Sequence, residues 1–552
     1  MSRRTALWLP AILPLLAAGT LALAGCSGSG GGKEAGTPAS QACAGGVTPA
    51  AGLVVTDQGP VQGVRSGETY VFKGIPYAQP PVGELRFKPP EPPGCSGGIL
   101  EASTFGNKCP QLDSSAKVVG DEDCLYLNVW QPAQPPGVNN PRPVMFFIHG
   151  GGNVQGSASQ QLADGTYIYD GEQLASNGDV VVVTINYRLG PFGWLAHPAL
   201  TSESGNDSSG NYGLLDEIAA LQWVRRNISA FGGDPSQVMV FGESAGALDT
   251  CALVASPLAK DLFSRALMES GGCLATPQAQ REAAGEAAAS KAGCDTAGDL
   301  LTCLRGLSTE QLMAAGAGTV NVAGAGIGSY GPVIDGYALK DQPNSVIAAG
   351  EHNHVPMVIG SNSDETSTYV PAIPTCQQYA AAVRSLYPTL ADEALQQYPC
   401  EQYPTPQKAY IALTSDARFI CTARRDARAF VKGQQEATFR YVFTHGIDTP
   451  QGKANGAFHG LELLWVFQHL NVSGYTPSKG ELALADAMLQ YWTQFAATGD
   501  PNADGVPPWP QYDADSDPYL ALDTAIKAGS GYRGVQCNFW DSVVAQLLNA
   551  GS

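Results

Sequence analysis

The 552-residue chain is short of basic residues: 31 Lys and Arg stand against 50 Asp and Glu, a formal charge of −19. Binding phosphates needs clustered cations, and none occur, so nucleic acid is excluded as a partner. No two cysteines are spaced C-x-x-C, which leaves a zinc ribbon or a thioredoxin-like redox site without support. No internal repeat is visible, and no linker inside 51–552 marks a second domain. Charged residues amount to only 15% against 44% hydrophobic ones. That balance describes a globular chain with ample core, not a disordered one, and its acidity reads as a solvated surface.

What is present begins at the N-terminus. "MSRR" supplies a positive head, "ALWLPAILPLLAAGTLALA" an apolar stretch, and "LAGC" (23–26) a cleavage site ending in cysteine. The arrangement resembles the lipobox of bacterial lipoproteins, in which the cysteine thiol, here Cys26, takes a diacylglycerol and becomes the new N-terminus. Residues 1–25 are then a lipoprotein signal peptide and 26–50 a Gly/Ser-rich tether. The implied location is the bacterial cell envelope, periplasmic or cell-surface, with lipid holding the protein to a membrane surface without a spanning helix. Of 13 cysteines, twelve remain beyond Cys26, an even number suited to disulfides in an oxidising compartment.

From residue 51 on, apolar β-branched runs alternate with helical patterns. "VMFFIHGGG" (144–152) reads as a buried strand running into glycines, and "DVVVVTINYR" (179–188) as another. "LLDEIAALQWVRRNI" (214–228) has helical spacing, and "HVPMVIGSNSDE" (354–365) reads as a strand ending in a polar loop. Strands apolar on both faces and separated by helices predict an α/β fold with a mostly parallel central sheet. In such sheets ligands bind at the carboxyl ends of strands, where "HGGG", "ESAG" and "SDE" all fall.

"QVMVFGESAGALDTCALVA" (237–255) reads strand, tight turn, helix, with Ser244 at the turn. That context would lift the serine hydroxyl clear of the backbone, and Gly242 and Gly246 would let strand and helix approach. A helix N-cap role for the serine fits the turn but not the paired glycines. The N–H of Ala245, at a helix N-terminus, would point to where a carbonyl oxygen turns negative. Gly151 and Gly152 could present N–H groups to the same oxygen, and with no Lys-Ser/Thr after them a phosphate-cradling loop is disfavoured. For an acid, Asp364 and Glu365 are neighbours and the pattern alone picks neither. For a base, three of seven histidines lie beyond them: His445, His459 and His469.

Long stretches resemble the type-B carboxylesterases, the α/β-hydrolase family that includes cholinesterases and cholesterol esterases. They run from "YVFKGIPYAQPPVGELRFKPPEP" (70–92) through "EDCLYLNVW" (122–130), "FFIHGGG" (146–152) and "NYRLGPFGWL" (186–195). They continue with "GNYGLLDEIAALQWVRRNISAFGGDP" (210–235), "FGESAG" (241–246), "GSNSDE" (360–365), "FHGLELLWVF" (458–467) and "CNFW" (537–540). The resemblance implies one α/β-hydrolase domain over 51–552, a large sheet flanked by helices, and the order Ser, acid, His. It selects Glu365 as the acid and His459 as the base for Ser244, and implies that Glu243 supports the site from behind. It also implies a structural ion pair between Arg86 and Glu122, and disulfides Cys109–Cys124, Cys294–Cys303 and Cys421–Cys537. Elimination and proximity add Cys43–Cys95, Cys251–Cys273 and Cys376–Cys400.

The activity so implied is hydrolysis of carboxylic esters through an acyl-enzyme, with small-molecule or lipid-like esters as substrates and no metal or organic cofactor required. Two departures bear on the substrate. The Cys109–Cys124 loop is short and has no tryptophan, so choline esters are disfavoured. Asn153 follows HGGG where the family usually has an aromatic residue. A lipase or polyester hydrolase on bulky external substrates, or an amidase, would use the same triad. A neuroligin-like non-catalytic binding protein would have lost one of its members.

Overall fold

The computed structural model describes residue 43 and residues 46–135, 137, 140–324 and 328–550, of which 547–550 by backbone alone. The leader expected over 1–25, Cys26 and most of the 26–50 tether lie outside the described residues. Among those described, an eleven-stranded sheet organises the protein. Its strands in chain order are β1 (Val64–Ser66), β2 (Thr69–Pro76), β3 (Tyr126–Pro132), β4 (Arg142–Ile148), β5 (Val181–Ile185) and β6 (Gly233–Glu243). They continue as β7 (Arg265–Glu269), β8 (Met357–Asn362), β9 (Thr438–Phe443), β10 (Pro518–Leu522) and β11 (Lys527–Ser530). Across the sheet the order is β11-β10-β9-β8-β7-β6-β4-β5-β3-β2-β1. Strands β4 to β10 all pair in parallel, and antiparallel pairs occur only toward the two edges. The expectation of an α/β fold with a mostly parallel centre therefore holds.

The central strands are apolar throughout because both faces are covered. Alternate residues go to opposite sides, as the two-residue period of a strand requires. Val144, Phe146 and Ile148 of β4 and Val181 and Val183 of β5 join one core. That core also takes Leu214, Ile218 and Leu221 of helix α1 (Tyr212–Asn227) and Ala247, Cys251 and Leu253 of helix α2 (Ala245–Ala255). Met145 and Phe147 of β4, Val182 of β5, and Met239 and Phe241 of β6 join the other. There they meet Leu484, Met488, Trp492 and Phe495 of helix α3 (Lys479–Thr498). The strand order reverses around β4, whose neighbours are β5 and β6. At such a switch point the connections leave in opposite directions and open a crevice at the carboxyl ends. The segments after β4 and β6 are His149–Gly152 and Ser244.

The described residues belong to one compact unit. Disulfides join Cys43 to Cys95, Cys109 to Cys124, Cys251 to Cys273, Cys294 to Cys303, Cys376 to Cys400 and Cys421 to Cys537. Such a set is the mark of an exported protein. No helix among the described residues is long and apolar enough to cross a membrane.

Arg86 and Glu122 form a buried two-pronged pair: Nε donates to Oε2 at 2.8 Å and a terminal nitrogen to Oε1 at 2.5 Å. The other terminal nitrogen donates to the carbonyls of Leu304, Arg305 and Leu307, and Thr309 Oγ1 donates to Glu122. One guanidinium thus ties the 304–309 segment to the body. Removing it strands a buried carboxylate and three carbonyls, so Arg86→Ala should lower unfolding stability by about 3–5 kcal/mol, read as a fall in the urea midpoint.

Candidate active site

Ser244 sits between β6 and α2 with φ +58° and ψ −116°, a conformation that L residues avoid. Its N–H donates to the Glu269 carbonyl at 2.8 Å and its own carbonyl accepts from Leu248 N–H at 3.1 Å, so the turn is held from both sides. The flanking glycines are required by space. A Cβ on Gly242 would stand 2.7 Å from the Ile148 carbonyl oxygen, and one on Gly246 would collide with the same carbonyl. Gly150 is constrained likewise, since a Cβ there would press on Glu243 and Ser244. The turn therefore fits against the end of β4 only because three positions lack side chains.

Ser244 Oγ lies 2.7 Å from His459 Nε2, and His459 Nδ1 lies 2.7 Å from Glu365 Oε2. The second oxygen of Glu365 accepts the Asn362 N–H at 2.7 Å, and the Glu365 carbonyl accepts His459 N–H. Glu365 has no exposed surface, so both carboxylate oxygens are committed. A proton on Nδ1 leaves the Nε2 lone pair facing the serine hydroxyl, and this line can draw a proton from Ser244. The neighbouring Asp364 turns away to Lys408 Nζ at 2.8 Å. His445 is bonded to Asp523 and Glu481, and His469 to the Asp170 carbonyl. Of the residues the sequence left open, only Glu365 and His459 reach Ser244.

Three more carboxyls are buried behind this line: Glu243, Glu269 and Glu462. Glu243 Oε1 comes within 3.2 Å of His459 Nε2. Burial, and then the neighbouring Glu365 and Glu269, push the Glu243 carboxyl well above its usual range. Burial does the same to Glu462, with Glu243, Glu269 and Glu365 adding to it. Glu269 is also raised by burial, against a 2.9 Å bond from Trp492 Nε1. Burial thus disfavours the charged form of all three, whereas Glu365 accepts an N–H bond on each of its oxygens.

On the other side of Ser244 the chain turns through Gly151 and Gly152 at φ +108° and +65°. Gly152, Ser244 and Ala245 share the wall of a cavity of about 690 Å³ including its mouth, otherwise largely apolar with Leu248, Val320 and Phe419. Beneath it, the buried His149 donates Nδ1–H to the Gly150 carbonyl at 2.8 Å, and burial pushes its ring down to about 4, so it is neutral. Asn153, also at positive φ and fully buried, lines the same cavity. Its Nδ2 donates to Asp249 Oδ1 at 3.1 Å and its Oδ1 accepts from Tyr187 at 3.0 Å. Asp249 in turn meets Glu217 of α1.

The sequence marked Asn153 as a departure but carried no sign of its partners, which lie 34 to 96 residues away. Arg418 and Phe419 were missed altogether. Both line the cavity, and the Phe419 ring stands 4.7 Å from that of His459. They lie in a π-helical turn, which no residue pattern announced.

A sequence model described as the carboxylesterase family matches residues 50–540. A para-nitrobenzyl esterase of Bacillus subtilis (strain 168) is 36% identical over 488 residues, covering 86% of this chain and 95% of the relative. A fumonisin B1 esterase of Sphingopyxis macrogoltabida is 35% identical over 492 residues, 86% of this chain and 87% of that one. A solved PNB esterase superposes with a TM-score of 0.76 at 34% identity, over 89% of this chain and 100% of the other. The α/β-hydrolase fold is common to both.

Glu217 and Asp249 have a consequence for stability. Neither Glu217 oxygen nor Asp249 Oδ2 meets a hydrogen-bond donor among the described residues, and two facing carboxyls can bond only by sharing a proton. Burial holds both carboxyls above their usual range; the facing Asp249 raises Glu217 further, while the hydrogen bonds from Asn153 and Glu217 offset part of the rise of Asp249. Acids raised in the folded state cost stability as pH climbs from about 4, where the unfolded chain loses its protons. Glu217→Gln keeps the shape and supplies an amide donor to Asp249. Its melting temperature should therefore fall less than that of the native protein between about pH 5 and 8, followed by circular dichroism. A parallel fall in both proteins would count against the shared proton.

Proposed function

The chain belongs to the carboxylesterase family, and on that premise we propose that it hydrolyses esters through a Ser244–His459–Glu365 triad. The protein is a carboxylic ester hydrolase; the assignment of its residues rests on one observation, the two 2.7 Å bonds in line from serine to carboxylate. A serine hydroxyl is a poor nucleophile near neutral pH. His459 takes its proton as Ser244 attacks the ester carbonyl, while Glu365 holds the imidazole tautomer and stabilises the imidazolium. The negative oxygen of the tetrahedral intermediate is received by the N–H groups of Gly151, Gly152 and Ala245. His459 then protonates the leaving alcohol, and water repeats the cycle on the acyl-enzyme. Glu243 lies beside Nε2 and not Nδ1, so it does not stand where Glu365 does.

Hydrolysis of p-nitrophenyl butyrate tests the assignment. Ser244→Ala should lose on the order of 10⁶ in kcat and Glu365→Gln on the order of 10⁴, with each variant's melting temperature checked for folding. Hydrolysis by Ser244→Ala at the native rate would refute it.

The same reading extends to the cell envelope. Cleavage before Cys26 and lipidation of its thiol would leave 17 residues, rich in Gly and Ser, before Cys43 ties the chain to the body through Cys95. A flexible segment of that length reaches roughly 20–25 Å on average, enough to hold the enzyme near a membrane surface. Expressed in a bacterial host, the native protein should sediment with membranes and Cys26→Ser should not. A Cys26→Ser protein that stays fully membrane-bound would refute the lipid anchor.

A further inference from the structure

The three N–H groups assigned to the oxyanion come from two segments far apart in the chain. Ala245 opens α2, so its N–H has no acceptor within the helix. Gly151 and Gly152 lie in the turn after β4, where Gly151, Gly152 and Asn153 in succession have φ of +108°, +65° and +58°. Asparagine is among the few side chains that tolerate that region, so it can end such a run. One oxygen is held by both segments only while the spacing between them is fixed.

One hydrogen bond among the described residues joins the turn to α2 directly: Asn153 Nδ2 donates to Asp249 Oδ1 at 3.1 Å. Asp249 lies one helical turn after Ala245, so its carboxyl and the Ala245 N–H move as one body. Asn153 directly follows Gly152, so holding its side chain holds the peptide between them. Its other contacts close the clamp. Oδ1 stands 3.0 Å from the Tyr187 hydroxyl, which also stands 2.9 Å from the His149 carbonyl. The Asn153 carbonyl accepts the Gly190 N–H at 2.7 Å. Behind Asp249, Glu217 of α1 faces its carboxyl, and neither acid has exposed surface. Burial disfavours charge on both, and an apolar pair of the same shape would be no less stable there. What the acid pair adds is an acceptor on α2 for Asn153.

We propose that Asp249, steadied by Glu217, is a positioning residue for the reaction: through Asn153 it sets the distance between the Gly151–Gly152 donors and the Ala245 donor. This deepens the ester-hydrolysis reading and rests on it. The ester carbonyl is trigonal in the ground state, and its oxygen gains full charge only as the tetrahedral state forms. A hole held at the right width therefore acts on kcat and leaves KM nearly untouched.

The test follows p-nitrophenyl butyrate hydrolysis in three variants, each checked for folding by its melting temperature. Asp249→Leu removes the acceptor, and kcat should fall about ten- to a hundredfold with KM within about twofold of native. Asp249→Asn keeps an acceptor for Asn153 and offers Glu217 an amide donor, so kcat should stay within about threefold of native. Asn153→Gly suits the positive φ and deletes only the amide; it should lose what Asp249→Leu loses, and the double variant no more than either. If Asp249→Leu does not fold, Asn153→Gly carries the test alone. A trifluoromethyl ketone, which forms an oxyanion adduct with a reactive serine, should bind more weakly by the factor by which kcat falls. Native kcat in Asn153→Gly or in folded Asp249→Leu, a loss carried by KM alone, or additive losses in the double variant overturns the positioning role. With Ser244→Ala inactive, any of those results overturns that role alone and leaves the triad standing. Undiminished activity in Ser244→Ala overturns both readings.

Discussion

The site depends on one close approach of backbone to backbone. The turn at Ser244 lies against the end of β4 so tightly that Gly242 and Gly246 have no room for a Cβ beside the Ile148 carbonyl. That contact sets the rest in place. It holds Ser244 at positive φ with its hydroxyl raised toward His459, and it brings the start of α2 beside the glycines that follow β4. The parallel sheet supplies the means, because β4 and β6 are hydrogen-bonded neighbours and their carboxyl ends finish level with each other at Ile148 and Gly242. Side chains on those glycines would part the strand from the helix and separate the two halves of the site.

Around that contact the protein sorts its acids by environment. Four glutamates are buried near His459, and repulsion with loss of water makes it costly to ionise them all. Glu365 alone receives an N–H on each oxygen, from Asn362 and from His459. Glu243, Glu269 and Glu462 are pushed up by burial. The same principle operates on the opposite side of Ser244, where burial raises the facing carboxyls of Glu217 and Asp249 under Asn153.

Much of this was legible in the chain. The runs at 144–148 and 181–185 announce buried parallel strands, because only a strand covered on both faces is apolar at every position. Ser244 with its paired glycines announces a tight strand-to-helix turn, because few other contexts need glycine on both sides of a serine. The choice between Asp364 and Glu365 was not legible from pattern. Adjacent residues leaving a strand end point in different directions, and which one meets His459 depends on a loop 94 residues farther along the chain. Arg418 and Phe419 were invisible for a related reason: a π-turn leaves no periodic mark, and its effect is a rotation of side chains that appears only in three dimensions.

The sequence by itself determined the α/β class, the strained serine turn, the glycine loop after β4 and the carboxylesterase resemblance. These are encoded locally, in residue types whose steric limits or apolar periodicity act within a few positions. The tertiary structure alone decided which carboxyl faces His459, which acids burial raises, and that Asn153 is clamped between Tyr187 and Asp249. It also decided that Arg418 and Phe419 line the cavity. Each of those depends on distances between segments far apart in the chain, where burial and charge act through space and no local pattern records them.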